Sequence, residues 1–312
     1  MNLMDLVGRG APLAIARLPG TPGVYRFRDA RGRVLYIGRA SALRSRVASY
    51  WSDLGDRGHL APMVTRVARV EAVSCASAHE AAWLERNLLE HAMPPWNRTA
   101  GGQESVVHIR MDQRPSAPGL SVVFLTPPAA QVRYFGPYLG GLRVRQAVTG
   151  LHRILPLAYA GTGLRGAQRD MARARGVTGA DHGELIRALA AVLERQPDAV
   201  AGARADLGLV RDRAAGSLAF EFAAQVQSEM QALDWVTSPQ RVTAPEDGDA
   251  DVYGWFGDVL VRFGVRGGRL CQWSARRCSR SRAAPRLAAT PAPWTDFARR
   301  NAELAAALRL AD

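Results

Sequence analysis

The sequence predicts an α+β protein of more than one domain. Three observations carry this. Two β-branched and aromatic runs flank an Asp/Gly turn near the N-terminus, and helical stretches with apolar residues three and four apart follow them. At 312 residues and 47% hydrophobic composition, the chain is long enough to bury more than one core.

The first element is a β-hairpin. Val24, Tyr25 and Phe27 lead into Asp29-Ala30-Arg31-Gly32, and Val34, Leu35, Tyr36 and Ile37 lead out. Pairing these strands brings the phenols of Gly23-Val24-Tyr25 and Tyr36-Ile37-Gly38 near one another, though a cross-strand aromatic pair alone does no more than stabilise a sheet. Arg39 follows, then Ser41 as an N-cap and a helix Ala42–Trp51 with the apolar stripe Leu43, Val47, Tyr50 and Trp51. Arg46 and Tyr50, four apart, share a face beside that stripe. Ser77-Ala78-His79-Glu80 has the S-x-x-E form of a capping box, opening a helix that runs to about Ala92 and making Glu80 a cap. Glu85 falls within the stripe Ala81, Leu84, Leu88 and Ala92. A carboxylate there is partly desolvated, so it either pairs with a neighbouring arginine or binds a cation. Asn97 follows Pro94-Pro95-Trp96.

Charge points to a polyanionic partner. The net formal charge is +13, and with no lysine in the chain every basic residue is arginine. Residues 1–50 hold nine Arg against two Asp, and residues 262–300 hold ten Arg against Asp296 alone. Guanidinium suits phosphate through its planar fork of donors. An all-arginine complement also follows from GC-rich coding, so the sign and clustering are the better evidence, and they favour nucleic acid over a membrane surface. No apolar run reaches bilayer length, and the first twenty residues lack a convincing signal-peptide core. Cys75, Cys271 and Cys278 form no C-x-x-C, which argues against a disulfide framework or closed zinc site and for a reducing bacterial cytoplasm. The six histidines show no ligand pairing.

Taken in order, Leu18-Pro19, Gly23-Val24-Tyr25, Tyr36-Ile37-Gly38, Leu43, Arg46, Tyr50, Glu85, Asn87-Leu88-Leu89 and Asn97 resemble the GIY-YIG nuclease superfamily. The resemblance is specifically to the N-terminal domain of UvrC-type excinucleases and places that domain at 16–100, after a tail 1–15. It implies a central, mostly antiparallel three-stranded sheet flanked by helices, and a metal-dependent DNA endonuclease. By the same resemblance Tyr25 activates or orients the attacking water, Tyr36 is the second active-site tyrosine and Arg46 steadies the scissile phosphate. Tyr50 adds a hydroxyl, Glu85 is the sole carboxylate ligand of a divalent metal and Asn97 is a supporting polar residue. One position departs: the family usually has lysine after Tyr-Ile-Gly, and here it is Arg39. With a single carboxylate, one Mg²⁺ or Mn²⁺ is the economical reading, keeping most of its waters. A phenol with a reference pKa of ~10 then needs cations such as Arg39 and Arg46 nearby to serve as a base at neutral pH. Arg39 can replace the family lysine as a charge but not as a proton carrier.

Beyond residue 100 the likeness weakens. Val106–Arg110 and Leu120–Leu125 read as strands, then Tyr134-Phe135-Gly136-Pro137-Tyr138 as a segment packing on the first domain or DNA, or as an ordinary aromatic turn. Val144–Leu155 reads as a helix. UvrC proteins usually carry iron–sulfur cysteines next, whereas Ala158–Val200 contains none, so no Fe–S cluster is expected. Gly161–Gly183 reads as a flexible or loosely helical connector within a middle region 101–205. Residues 206–240 resemble the UVR helical hairpin that pairs with UvrB, with Leu218, Phe222, Val226, Met230 and Leu233 burying one face. An ordinary intramolecular helix pair accounts for the same spacing. An acidic linker Pro245–Asp251 precedes Val252–Val265 and Arg269–Trp273, read as a β-hairpin resembling the opening strands of an RNase H-like domain. With the C-terminal helix it forms a truncated remnant, 252–312, in which Asp258 is a turn residue and a second nuclease centre is not expected. The whole points to a UvrC-like DNA repair endonuclease of the Cho-like single-nuclease form, incising damaged DNA on the 3′ side of a lesion in nucleotide excision repair. Two rivals stand beside it: a structure-specific DNA nuclease independent of UvrB, and a DNA-binding or recruiting module whose site has decayed.

Overall fold

The computed structural model describes residues 10–52, 54–98, 104–244 and 248–309. Residues 1–9 of the expected tail, 99–100 at the expected edge of the first domain and 245–247 of the expected linker lie outside them. The chain divides into two units, one formed by the described residues of 1–103 and 239–312, the other by Glu104–Ser238. The segments set apart in the sequence as 101–205 and 206–240 thus fall almost wholly in one unit, and the C-terminal segment packs with the first domain.

The first unit opens with α1 (Gly10–Arg17), β1 (Gly23–Arg28), β2 (Val34–Ala40), α2 (Leu43–Ser52), the short α3 (Ala61–Val64), β3 (Arg69–Ser74) and α4 (Ala78–His91). The sheet order is β2-β1-β3 with both pairings antiparallel, so Arg69–Ser74 supplies the third strand of the expected sheet. The hairpin turn closes where the sequence places it: Gly32 N–H donates to Asp29 O over 2.9 Å with Gly32 at φ +77°, and the Asp29 carboxylate accepts from the Arg31 and Arg33 amides. Ser77 caps α4 by accepting from Glu80 N–H at 2.9 Å. The Glu80 carboxylate, fully buried, accepts from the Ala76 and Arg241 amides, so the cap also holds the start of the C-terminal segment.

That segment adds β7 (Ala250–Phe256), β8 (Val259–Arg266), β9 (Arg269–Arg277), α10 (Arg280–Ala288) and α11 (Thr295–Arg309), numbered after the second unit's elements. The expected hairpin is therefore a three-stranded antiparallel meander, because Gly257-Asp258 makes a first turn inside 252–265 before Gly267-Gly268 makes the second. Helix α11 lies directly on β7. A Cβ at Gly254 would stand 2.0 Å from Ala298 O, which only glycine permits. Two asparagines finish the first sheet's outer edges by mimicking a further strand. Asn97 accepts from Ile37 N–H at 3.0 Å and donates to Ile37 O at 2.8 Å; Asn301 on α11 accepts from Ser74 N–H at 2.7 Å and donates to Ser74 O at 3.1 Å. Each pairing satisfies one outward N–H and C=O of an edge strand.

The second unit holds β4 (Val106–Asp112), β5 (Gly119–Val123), β6 (Val132–Leu139), α5 (Gly141–Ile154), α6 (Ala167–Ala174), α7 (His182–Leu193), α8 (Pro197–Gly216) and α9 (Phe220–Val236), with the sheet in order β5-β4-β6. The aromatic pentapeptide Tyr134–Tyr138 is strand, not turn, and Tyr138 is buried in this unit's own core. The connector 161–183 contains the two-turn α6. Helices α8 and α9 form the expected hairpin, but its buried face differs from the forecast. Val226, Met230 and Leu233 are buried, whereas Leu218 sits in the turn at φ +60° and is 74% exposed, and Phe222 is 39% exposed. Leu218 precedes the first turn of α9, so helical spacing does not apply to it. No helix among the described residues is long and apolar enough to cross a membrane.

Candidate active site

The register of the hairpin builds the site. Tyr25 on β1 lies opposite Gly38 on β2, and Phe27 opposite Tyr36. A Cβ on Gly38 would stand 2.5 Å from Tyr25 Oη and 2.8 Å from Tyr36 Cε1, so the bare glycine is what lets the Tyr25 ring lie across the neighbouring strand. Gly23 allows a different close approach, that of β3 and Leu43 to β1, since a Cβ there would meet Val73 O at 2.3 Å and Leu43 Cδ1 at 2.7 Å. From α2, Tyr50 reaches in and its hydroxyl shares a 2.7 Å hydrogen bond with that of Tyr25. The rings of Tyr25, Tyr36 and Tyr50 have centroids 5.9 to 6.3 Å apart. Arg46, one turn before Tyr50, lies against the same phenols, its guanidinium carbon 6.0 Å from the Tyr50 ring.

Glu85 comes from α4. Its Oε1 accepts the Arg39 amide at 3.1 Å and its Oε2 stands 3.3 Å from Arg39 Nε. The outer edge of β2 thus directs consecutive outward amides to side chains, Ile37 to Asn97 and Arg39 to Glu85. Tyr25, Tyr36, Tyr50 and Arg46 are brought together around Gly38, with Glu85 and Arg39 at its border. Asn97 has its amide engaged on the Ile37 main chain, which makes it a support for β2.

Electrostatics decide the state of the phenols. Burial raises the Tyr25 pKa well above 10, reinforced by Tyr50 and Tyr36, and Arg46 opposes this without reversing it. Tyr36 is raised too, first by burial and then by Tyr50 and the Glu85 carboxylate. For Arg46 burial disfavours the charge, yet the three phenols outweigh that and raise its pKa. Tyr25 and Tyr36 therefore stay protonated near neutrality, the reverse of what a tyrosinate base would need.

A hard divalent ion takes oxygen donors, and Mg²⁺ commonly keeps several waters beside one or two carboxylates. Glu85 fits that requirement: a single carboxylate, its side chain 20% exposed, held by a main-chain amide at the border of a group of hydroxyls. Among the described residues no group of three or more His, Cys, Asp or Glu could form a closed cage. The guanidinium of Arg39 shares the same carboxylate, so an ion there would compete with it. Arg39→Lys is accordingly expected to change the nicking rate by less than about threefold with an unaltered pH profile, while shifting the half-saturating Mg²⁺ concentration. Acceleration by lysine together with a new pH inflection would instead show that a proton carrier is missing.

One contributor was absent from the sequence reading. Arg57, in the 3₁₀ turn Gly55–Leu60, places its guanidinium 4.6 Å from the Tyr50 ring centroid and donates to Ser49 Oγ at 3.0 Å. It lies outside any periodic pattern, so no spacing signals it.

A glycine-flanked hairpin with a tyrosine on each strand, an arginine one turn before a third, and one carboxylate on the packing helix is the arrangement of a GIY-YIG domain. Residues 21–98 match the UvrC-like GIY-YIG domain family. Over 275 residues the chain is 32% identical to the UvrABC system protein C of Mycobacterium marinum, covering 81% of this chain and 41% of that protein. Against the same protein of Mycobacterium leprae it is 32% identical over 276 residues, 82% of this chain and 42% of the relative. The chain thus spans about two fifths of the length of the curated relatives it matches. The magnesium-bound GIY-YIG N-terminal endonuclease domain of UvrC from Thermotoga maritima is 27% identical, and the match covers 30% of this chain and all of that one with a TM-score of 0.27.

Proposed function

We propose that this chain is a UvrC-type DNA endonuclease that hydrolyses one phosphodiester bond of damaged DNA, using one Mg²⁺ or Mn²⁺ ion bound through Glu85 and water. The observation that carries the reading is the convergence of Tyr25, Tyr36, Tyr50, Arg46 and Glu85, drawn from four elements, around the Cα of Gly38. When bound, the ion supplies charge neutralisation at the phosphoryl and leaving oxygens. Arg46 donates to the non-bridging oxygens, a role its sustained charge suits. As a neutral phenol hydrogen-bonded to Tyr50, Tyr25 orients the attacking water, without standing as a resting tyrosinate. The relatives' place in the UvrABC system supports incision in nucleotide excision repair, and the UvrC resemblance supports a cut 3′ to the lesion. The exposed Leu218, Phe220 and Phe222 at the α8–α9 turn support docking to UvrB there.

A nicking assay on a lesion-bearing duplex, with and without UvrA and UvrB, tests this. Strand cleavage in Mg²⁺, abolished by EDTA and stimulated by UvrB, is expected; full activity in EDTA overturns the chemistry. The protonation state has its own test. Tyr25→Phe should lose about 10²–10³ in rate, and the wild-type to variant ratio should stay flat from pH 6 to 9. A ratio climbing tenfold per pH unit would identify an ionised Tyr25.

A further inference from the structure

Resting on the reading of DNA as substrate, we propose that the β9–α10 corner is a second DNA-contacting surface that grips the phosphodiester backbone of duplex beside the cut. Arg276, Arg277, Arg282 and Arg286 line one open groove of about 870 Å³ with Cys278, Ser279 and Pro285. All four arginines are exposed, and Arg280 beside them stacks toward Trp255.

What sets this corner apart is the absence of neutralising charge. From 270 to 295 the sequence has five Arg and no Asp or Glu, whereas Arg262 and Arg266 just upstream pair with Asp251 and Arg269 with Glu90. Among the described residues only Arg277 of the groove makes an ion pair, with the exposed Asp258 at 3.5 Å. The N-terminal arginines behave differently: Arg26 and Arg28 pair with Glu71, Arg33 with Asp29 and Arg39 with Glu85. Much of the basic charge near the tyrosines is thus already spent inside the protein, whereas that of the corner faces water.

The scaffold beneath is fixed. Trp255 Nε1 donates to Cys278 O at 2.8 Å, Cys278 N–H donates to Asp258 O at 2.7 Å, and Ala283 is fully buried. Arg282 and Arg286 stand four apart on α10, a like-charge arrangement that disfavours the helix unless an anion lies across it. The groove is several times larger than one phosphate needs and its lining side chains are mostly guanidinium, which favours a run of phosphates over a compact metabolite. Neither β9 nor α10 supplies a residue to the tyrosine site, so the two surfaces can be tested apart.

The test compares full-length wild type with Arg276→Gln/Arg282→Gln/Arg286→Gln and with the triple lysine variant. Binding to a fluorescent 30-base-pair DNA duplex is followed by anisotropy in EDTA from 50 to 300 mM KCl. The glutamine variant should lose at least about tenfold in affinity near 0.1 M salt, and its log K against log salt should flatten by about 2 to 3 units. Lysine should restore both, since counterion release depends on charge. At saturating DNA the glutamine variant should nick at the wild-type rate. An unchanged salt slope, or lysine failing where glutamine fails, overturns the proposal. Wild type that binds through the groove but nicks no DNA overturns the nuclease reading and leaves the groove standing. Unaltered binding by the glutamine variant of an active enzyme does the opposite.

Discussion

Glu85→Gln should abolish nicking, by at least about 10³-fold, while leaving duplex binding and folding close to wild type. The substitution is nearly isosteric, and the retained side-chain carbonyl can still accept the Arg39 amide that Glu85 Oε1 accepts at 3.1 Å. The lost ion pair with Arg39 is half-open to solvent, with side chains 37% and 20% exposed, so its removal is worth well under about 1 kcal/mol. What disappears is the single anionic oxygen donor set at the border of the phenols. Single-turnover nicking across a Mg²⁺ titration, with anisotropy and thermal melting on the same preparations, measures the three quantities together. Residual activity within about tenfold of wild type would remove Glu85 from the role of metal ligand.

The site was legible because its parts are local. Gly23-Val24-Tyr25 and Tyr36-Ile37-Gly38 are joined by a turn whose Asp and Gly residues specify it, so their pairing follows from chain chemistry alone. Arg46 and Tyr50 follow from helical spacing, and Glu85 from a charge in an apolar stripe. The state of the tyrosines was not legible. It depends on how completely three separate elements exclude water, and burial outweighs the cation placed beside them. Asn301 caps an edge strand 227 residues away in sequence, a contact no local pattern encodes. Asn87 was visible only as part of a motif; in the fold its amide donates to Val242 O and Thr243 Oγ1 and accepts from Arg269, tying α4 to the C-terminal meander. Two of the misjudged stretches, Leu218 and the run 252–265 taken as one arm of a hairpin although Asp258 was read as a turn residue, are places where a periodic pattern runs across a chain reversal.

Gly38→Ala should damage the enzyme nearly as much as loss of the carboxylate, by a different route. The added methyl would begin 2.5 Å from Tyr25 Oη, 2.7 Å from Tyr25 Cζ and 2.8 Å from Tyr36 Cε1. Tyr25 cannot retreat, because it is fully buried, packs on Phe27 with centroids 5.3 Å apart and is bonded to Tyr50. Either β2 shifts outward, drawing the Arg39 amide away from Glu85, or the Tyr25 ring turns and breaks its bond to Tyr50. Overpacking of this kind costs about 1–3 kcal/mol in stability, and a displacement near 1 Å in the catalytic groups costs about 10²-fold in rate. The double variant Gly38→Ala/Tyr25→Phe separates the two effects. Removing the hydroxyl oxygen takes away the shortest clash, so part of the lost stability should return while activity stays low. If Gly38→Ala alone melts and nicks like wild type, the close approach of Tyr25 to β2 does not organise the site.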